Sequence, residues 1–179
     1  MTIHLARHGQ TAYNHEGRFQ GHLPVPLDAT GREQAAALAE AAAKVTLTSL
    51  WCSPLRRARE TADIVAARIG LQPREDARFA ETDTGDWTDR SYADVRAEDP
   101  DGFARFQRSD PAFRYPGGES FAEQLARVQA GLADLRAQPA QLPALVVCHR
   151  GVIRLVLAAI TGDPTVGGRE IPNAALVTL

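Results

Sequence analysis

Lysine is almost missing from this chain. Lys44 is the only one, so arginine supplies nearly all of the twenty cationic side chains. Arginine grips phosphate in bidentate fashion, but a biased genomic base composition gives the same preference, so the imbalance alone marks no site. Cysteine is nearly as scarce. Cys52 and Cys148 offer neither a disulfide framework nor the ligand spacing of a structural zinc. No apolar run approaches the roughly 18 residues of a membrane span, and the opening Met-Thr-Ile-His-Leu-Ala-Arg lacks the form of a secretory signal. The expected setting is a reducing cytoplasm, with no membrane contact. Charge of one sign is lacking too. A formal −2 gives no field to recruit nucleic acid, so any anion site must be built locally.

What remains is ordinary for a globular protein. A length of 179 residues, 44% hydrophobic and 23% charged, fits one domain over 1–179 whose core needs neither disulfide nor metal. Thr2 to Ala6 reads as a short buried strand, and the Gly- and Pro-rich stretch from Asn14 to Pro26 as a loop over its end. Thr30 with Glu33 has the form of a capping box for an Ala-rich helix running to about Ala43. Leu47 to Cys52 is a second strand. Ser53-Pro54 then supplies an N-cap and an N1 proline for a helix that Gly70 ends.

The pattern weakens after Gln72. A short strand is expected near 74–79 and short helices at 91–97 and 102–108, so the stretch 72–116 reads as an insertion covering one face. Tyr115-Pro116-Gly117-Gly118 is a turn, and Ser120 with Glu123 caps a long helix to about Ala137. Leu142 to Cys148 is the most apolar strand, Val152 to Ile160 a helix closed by Gly162, and Ile171 to Leu179 a last strand. Alternating strands and helices predict an α/β fold: a three-layer sandwich whose largely parallel sheet carries helices on both faces.

The chemistry collects at strand ends. A parallel sheet opens its ligand crevice at the carboxyl ends of the strands. Ends at Arg7, Cys52 and Cys148 would bring His8, the Ser53–Arg57 segment and His149 to one rim. A nucleophilic imidazole beside arginines suits phosphoryl transfer. Gly9 is expected to let the backbone approach a ligand closely. Arg56 and Arg57 stand against the helix dipole at a cost of about 0.3–1 kcal/mol, which a bound dianion would offset.

Five ordered blocks carry a resemblance. They are Arg7-His8-Gly9-Gln10-Thr11 with Asn14, Gly17-Arg18-Phe19-Gln20-Gly21 and Pro26-Leu27; Ser53-Pro54-Leu55-Arg56-Arg57-Ala58; Glu81 with Gly85 and Trp87; Pro116-Gly117-Gly118-Glu119-Ser120; and His149-Arg150-Gly151-Val152-Ile153-Arg154. Together with Asn173-Ala174 they resemble the histidine phosphatase superfamily, the phosphoglycerate mutase-like proteins, over nearly the whole chain. The resemblance implies that His8 is the nucleophile and that Arg7, Arg57 and His149 clamp the phosphoryl oxygens. It implies that Asn14 and Gln20 donate to the same phosphate, and that Glu81 is proton donor and then base. Asp83 and Asp86 lie close enough in sequence to compete for that last role. No cofactor or metal is implied, and the implied partner is a small phosphorylated metabolite.

Three departures stand out. Trp87-Thr88-Asp89 replaces a common Trp-Glu-Gly, and Arg150 replaces a common glycine, either projecting over the pocket or facing solvent. The chain also stops within the expected last strand, without the tail of many relatives. Arg18, Arg114 and Arg150 are candidates for specificity. Rival readings remain. Cys148 to Arg154 spells Cys-x5-Arg as in thiol-dependent phosphatases, although Val152, Ile153 and Leu155 are bulky for such a loop. His8, His15 and His22 recur every seven residues but sit in a Gly/Pro-rich loop without a completing ligand. A mutase or a non-catalytic phospho-ligand binder would share the same blocks. The short chain and Gly117-Gly118-Glu119-Ser120 favour a phosphatase.

Overall fold

A computed structural model describes residues 2–163 and 169–179. Five strands form one sheet in the order β3-β2-β4-β1-β5: β1 (Ile3–Arg7), β2 (Ser49–Cys52), β3 (Pro73–Glu75), β4 (Ala144–Cys148) and β5 (Leu176–Thr178). The first four run parallel, and β5 closes the edge antiparallel to β1. Helices cover both faces, as the alternating pattern predicts.

Side chains alternate along each strand, so every central strand feeds two cores. Val146 and Cys148 of β4 join Ile3 and Leu5 under α6 (Phe121–Arg136) and α7 (Arg150–Thr161). Leu145 and Val147 join Ala6, Leu50 and Cys52 under α2 (Ala29–Ala42) and α3 (Arg56–Ile69). Burial on both faces explains why β4 reads as an unbroken apolar run. A third cluster gathers Phe19, Trp87, Phe103, Phe106, Phe113, Tyr115 and Phe121 beyond the rim of the sheet. Most of these rings come from the weakly patterned stretch, including α4 (Tyr92–Glu98) and α5 (Pro100–Gln107).

Several boundaries differ from the sequence reading. The N-cap of α2 is Asp28, whose Oδ1 accepts from Gly31 N at 2.7 Å, and not Thr30 with Glu33. Asp28 is fixed from outside the helix by Gln10, whose carbonyl accepts from its backbone N at 3.0 Å, so a tertiary contact overrides the local pattern. Helix α3 starts at Arg56, two residues beyond Pro54, with Leu55 as a cap that makes no side-chain bond. Ser53 is drawn into the site instead. The expected loop after the first block holds a short helix, α1 (Ala12–Glu16), with Thr11 and Asn14 capping each other's backbone. The expected strand at 74–79 is split into β3 and a 3-10 turn, Ala77–Phe79, and only Leu176–Thr178 of the last run pairs. The cap at Ser120 and the ends at Gly70 and Gly162 lie where the sequence puts them.

Candidate active site

The ladder carries the site residues past the strand ends. His8 N donates to Cys148 O at 3.0 Å and Ser53 N to Val147 O at 3.0 Å, so β1, β2 and β4 release their chains side by side. Gly9 does allow a close approach, but to protein: a Cβ there would lie 2.2 Å from Gly31 O. The glycine pair lets the first loop sit directly on α2, which holds His8 in place.

His8 is buried, and its Nδ1 donates to Gly9 O at 2.7 Å. That bond puts the ring proton on Nδ1 and leaves the Nε2 lone pair uncommitted. Burial, then the charges of Arg57 and Arg7, push its pKa well below the ordinary histidine value, so the imidazole is neutral at neutral pH. A neutral ring with a free Nε2 is the form that can attack phosphorus.

Arg7 and Arg57 are 8% and 1% exposed. Arg7 Nη1 donates to Ile171 O at 2.5 Å, and Arg57 Nη2 to Gly21 O at 2.9 Å. Neither has a carboxylate within ion-pair distance among the described residues, and the Nε of each is buried without a partner. Burial holds both down to about 10, helped at Arg7 by the charge of Arg150. Buried cations persist when a counter-charge compensates them, and here the cavity is where one fits.

Asn14 and Gln20 are oriented by their oxygens. Asn14 Oδ1 accepts from Thr11 N and from Asn173 Nδ2, each at 3.2 Å, and Gln20 Oε1 accepts from Thr11 Oγ1 at 2.9 Å. Their amide N–H groups are left for the cavity that both residues line. His149 is fully buried, its ring centroid 5.2 Å from that of His8, and it stands behind the residues that line the cavity rather than among them. Its Nε2 bonds Ser53 Oγ at 2.8 Å, while Nδ1 has no partner.

Glu81 also lines the cavity. Its Oε1 accepts from Thr82 N at 3.0 Å and Gln124 Nε2 at 3.1 Å, and its Oε2 from Gly151 N at 3.3 Å. Arg127 fixes the chain behind it, donating to Ala80 O at 2.7 Å and Glu81 O at 3.0 Å while paired with Glu119. Asp83 and Asp86 turn away. Asp83 Oδ1 caps Gly85 N at 3.0 Å, and Asp86 packs on the Gly117 turn, so neither lines the cavity.

The cleft is narrow, its space amounting to about 590 Å³ only when the open solvent at its mouth is counted. Arg18 and Arg150 line it, but Arg114 does not; Arg114 lies on another groove, paired with Glu123. Arg18 is itself held by Asp89 at 2.7 Å. Asp89, in place of a common glycine, takes the left-handed backbone at φ 67° that glycine adopts most easily. Cys148 faces the core, 0% exposed, with its thiol pKa raised by burial. A buried protonated thiol cannot serve as the nucleophile that Cys-x5-Arg would require.

Thr82, Gln124, Arg127, Arg154 and Asn173 join the site without a role expected from the sequence, while Ser53, expected at the rim, enters it through the His149 ring. Gln124 had a readable signal, being a polar residue on the buried stripe of α6 with Phe121 and Val128. Arg154 follows Arg150 by four residues, on the same helical face.

The chain and its fold are similar to known proteins. The model of the histidine phosphatase superfamily (branch 1) matches residues 3–179. A probable phosphoglycerate mutase GpmB of Klebsiella pneumoniae is 34% identical over 172 residues, 96% of this chain and 80% of that protein. A glucosyl-3-phosphoglycerate phosphatase of Mycobacterium tuberculosis is 36% identical over 168 residues, covering 89% and 75%. A solved mycobacterial glucosyl-3-phosphoglycerate phosphatase in complex with VO3 superposes with a TM-score of 0.88 at 34% identity, over 99% of this chain and 91% of that one.

Proposed function

The chain belongs to the histidine phosphatase superfamily, branch 1, and is a phosphoric monoester hydrolase; from that premise we propose how its residues divide the work. His8 Nε2 attacks the phosphorus, the ester P–O bond breaks, and Glu81 gives its proton to the leaving oxygen. Water then passes a proton to Glu81 and attacks the phosphohistidine, breaking the N–P bond and restoring both groups. Arg7 and Arg57 hold the phosphoryl oxygens, and Asn14 and Gln20 add their free amide donors. With Nε2 accepting from Ser53, His149 keeps its proton on Nδ1 for a further phosphoryl oxygen. Donors already aimed at developing charge are typically the largest catalytic contribution. The observation that carries this reading is the neutral His8 with a free Nε2 between two buried arginines that have no carboxylate partner.

The whole span 1–179 acts as one domain in this reading, with 72–116 as the covering insertion, and the substrate is a small phosphorylated metabolite. Two unpaired buried cysteines fit a reducing, cytoplasmic setting. Phosphoryl transfer of the mutase type uses the same phosphohistidine, and several relatives are named probable phosphoglycerate mutases; phosphate release separates the two. The test is phosphate release from a panel of monoesters in excess EDTA, by wild type and His8→Ala. Release by wild type alone is expected. Equal release by His8→Ala would overturn the assignment, and isomerisation of phosphoglycerate far above phosphate release would make the protein a mutase.

A further inference from the structure

Two arginines of the cleft are left over when a phosphate is accounted for. Arg7 and Arg57 serve the phosphoryl group, and Arg18 is paired with Asp89. Arg150 and Arg154 also line the cleft, and neither has a carboxylate within ion-pair distance among the described residues. Arg154 is 6% exposed, spends one Nη on Gln107 O, and keeps a buried Nε with no partner. Arg150 makes one long bond of 3.4 Å to the Tyr92 hydroxyl and lies over the Phe106 ring at 5.9 Å. Burying such groups without hydrogen bonds or counter-charge is costly.

Their placement is specific. One turn of α7 separates Arg150 from Arg154, so both heads meet on one face. Both line the cleft together with Arg7 and Arg57, and the Arg150 charge, after burial, helps hold Arg7 and Arg154 down to about 10. The same two arginines, with Tyr92 and Phe106, also border a second opening, so a ligand reaching them need not end there.

We propose that Arg150 and Arg154 form an anion subsite beside the phosphate clamp, so that the preferred substrates are phosphate monoesters bearing a second anionic group, a carboxylate or another phosphate. The assignment rests on the hydrolase reading above for the orientation of the ester. It answers the alternative that Arg150 merely faces solvent: the side chain is half-buried on the cleft wall. Each charge-assisted hydrogen bond gained or lost changes affinity about tenfold to a hundredfold.

Binding to His8→Ala, followed by calorimetry, tests the subsite without turnover. The carboxylate arm compares 3-phosphoglycerate with glycerol 3-phosphate; the phosphate arm compares propane-1,3-diyl bisphosphate with 3-hydroxypropyl phosphate. The doubly anionic member of at least one pair is expected to bind about tenfold or more tighter, and the arm that shows it identifies the anion. Introducing Arg150→Gln, whose half-buried position makes folding safe, or Arg154→Met should bring that ratio to near one. Equal binding within both pairs, or a ratio unchanged by both substitutions, would overturn the subsite. Phosphate release by wild type keeps the two readings apart. Release without discrimination sinks the subsite alone, and discrimination in binding without release from any ester sinks the hydrolase mechanism alone.

Discussion

Gly151→Ala should disable the proton donor without touching a titratable group. Gly151 lies in the first turn of α7 and donates its N–H to Glu81 Oε2 at 3.3 Å. A Cβ there would stand 2.4 Å from Glu81 Oε1, whereas contacts under 3.0 Å are essentially never seen. The carboxylate, the free end of a flexible side chain, must therefore retreat by at least about 0.6 Å, and further for an ordinary contact. A misplacement of about 1 Å costs roughly a hundredfold in rate, within the roughly 10²–10⁴ that general acid catalysis contributes. For an alkyl phosphate, kcat/KM is expected to fall about ten- to a hundredfold. For p-nitrophenyl phosphate, whose leaving group needs little protonation, kcat/KM should change less than about threefold, with kcat lower because Glu81 also activates the water. The melting temperature should hold, since alanine favours the helix by about 1 kcal/mol over glycine. Steady-state kinetics on both esters is the assay. An equal fall on both, or no fall on the alkyl ester, would refute the role and placement of Glu81.

Two further expectations concern stability and the thiols. His8 and His149 are held neutral in the fold, each pKa depressed chiefly by burial and next by Arg57, and burial depresses His4 as well. Above about pH 6.5 neither state is protonated; below it the unfolded chain binds protons that the fold refuses. Stability is therefore full at neutral pH and lost as pH falls from about 6.5 toward the depressed values, by up to about 1.4 kcal/mol per unit for each fully buried histidine. Urea midpoints at pH 7.5, 6.0 and 5.0 check this, and a flat profile would contradict it. Cys148→Ala should keep phosphate release, and iodoacetamide should leave the folded enzyme active, since burial drives the Cys52 thiol up to about 12 and that of Cys148 higher. Rapid inactivation by iodoacetamide would return the thiol route to consideration.

What was legible in the sequence follows from locality. The central strands β1, β2 and β4 announce themselves because burial on both faces leaves mostly apolar runs, and their ends fix the rim where His8, Ser53 and His149 meet. The capping box at Ser120 depends on four adjacent residues and stands as read. Asp28 defeats the same kind of reading because its conformation is set by Gln10, eighteen residues away. Ser53 has the form of a cap, yet its hydroxyl is taken by a histidine 96 residues further on. Gly9 is expected from the sequence to face a ligand, whereas its close approach is to Gly31, a partner that no local pattern names. The aromatic cover was least legible, since its short helices are stabilised by ring contacts across the cluster, such as Phe19 with Trp87 and Phe106 at 5.2 and 5.1 Å, and hardly by their own periodicity.

The most direct test is to trap the intermediate. Brief exposure to a ³²P-labelled monoester, followed by a denaturing alkaline quench, should leave label on the protein that is stable to alkali and labile to acid. Peptide mapping should place it on His8, and His8→Ala should carry none. Turnover with no trapped label, or label on a residue other than His8, would contradict the mechanism.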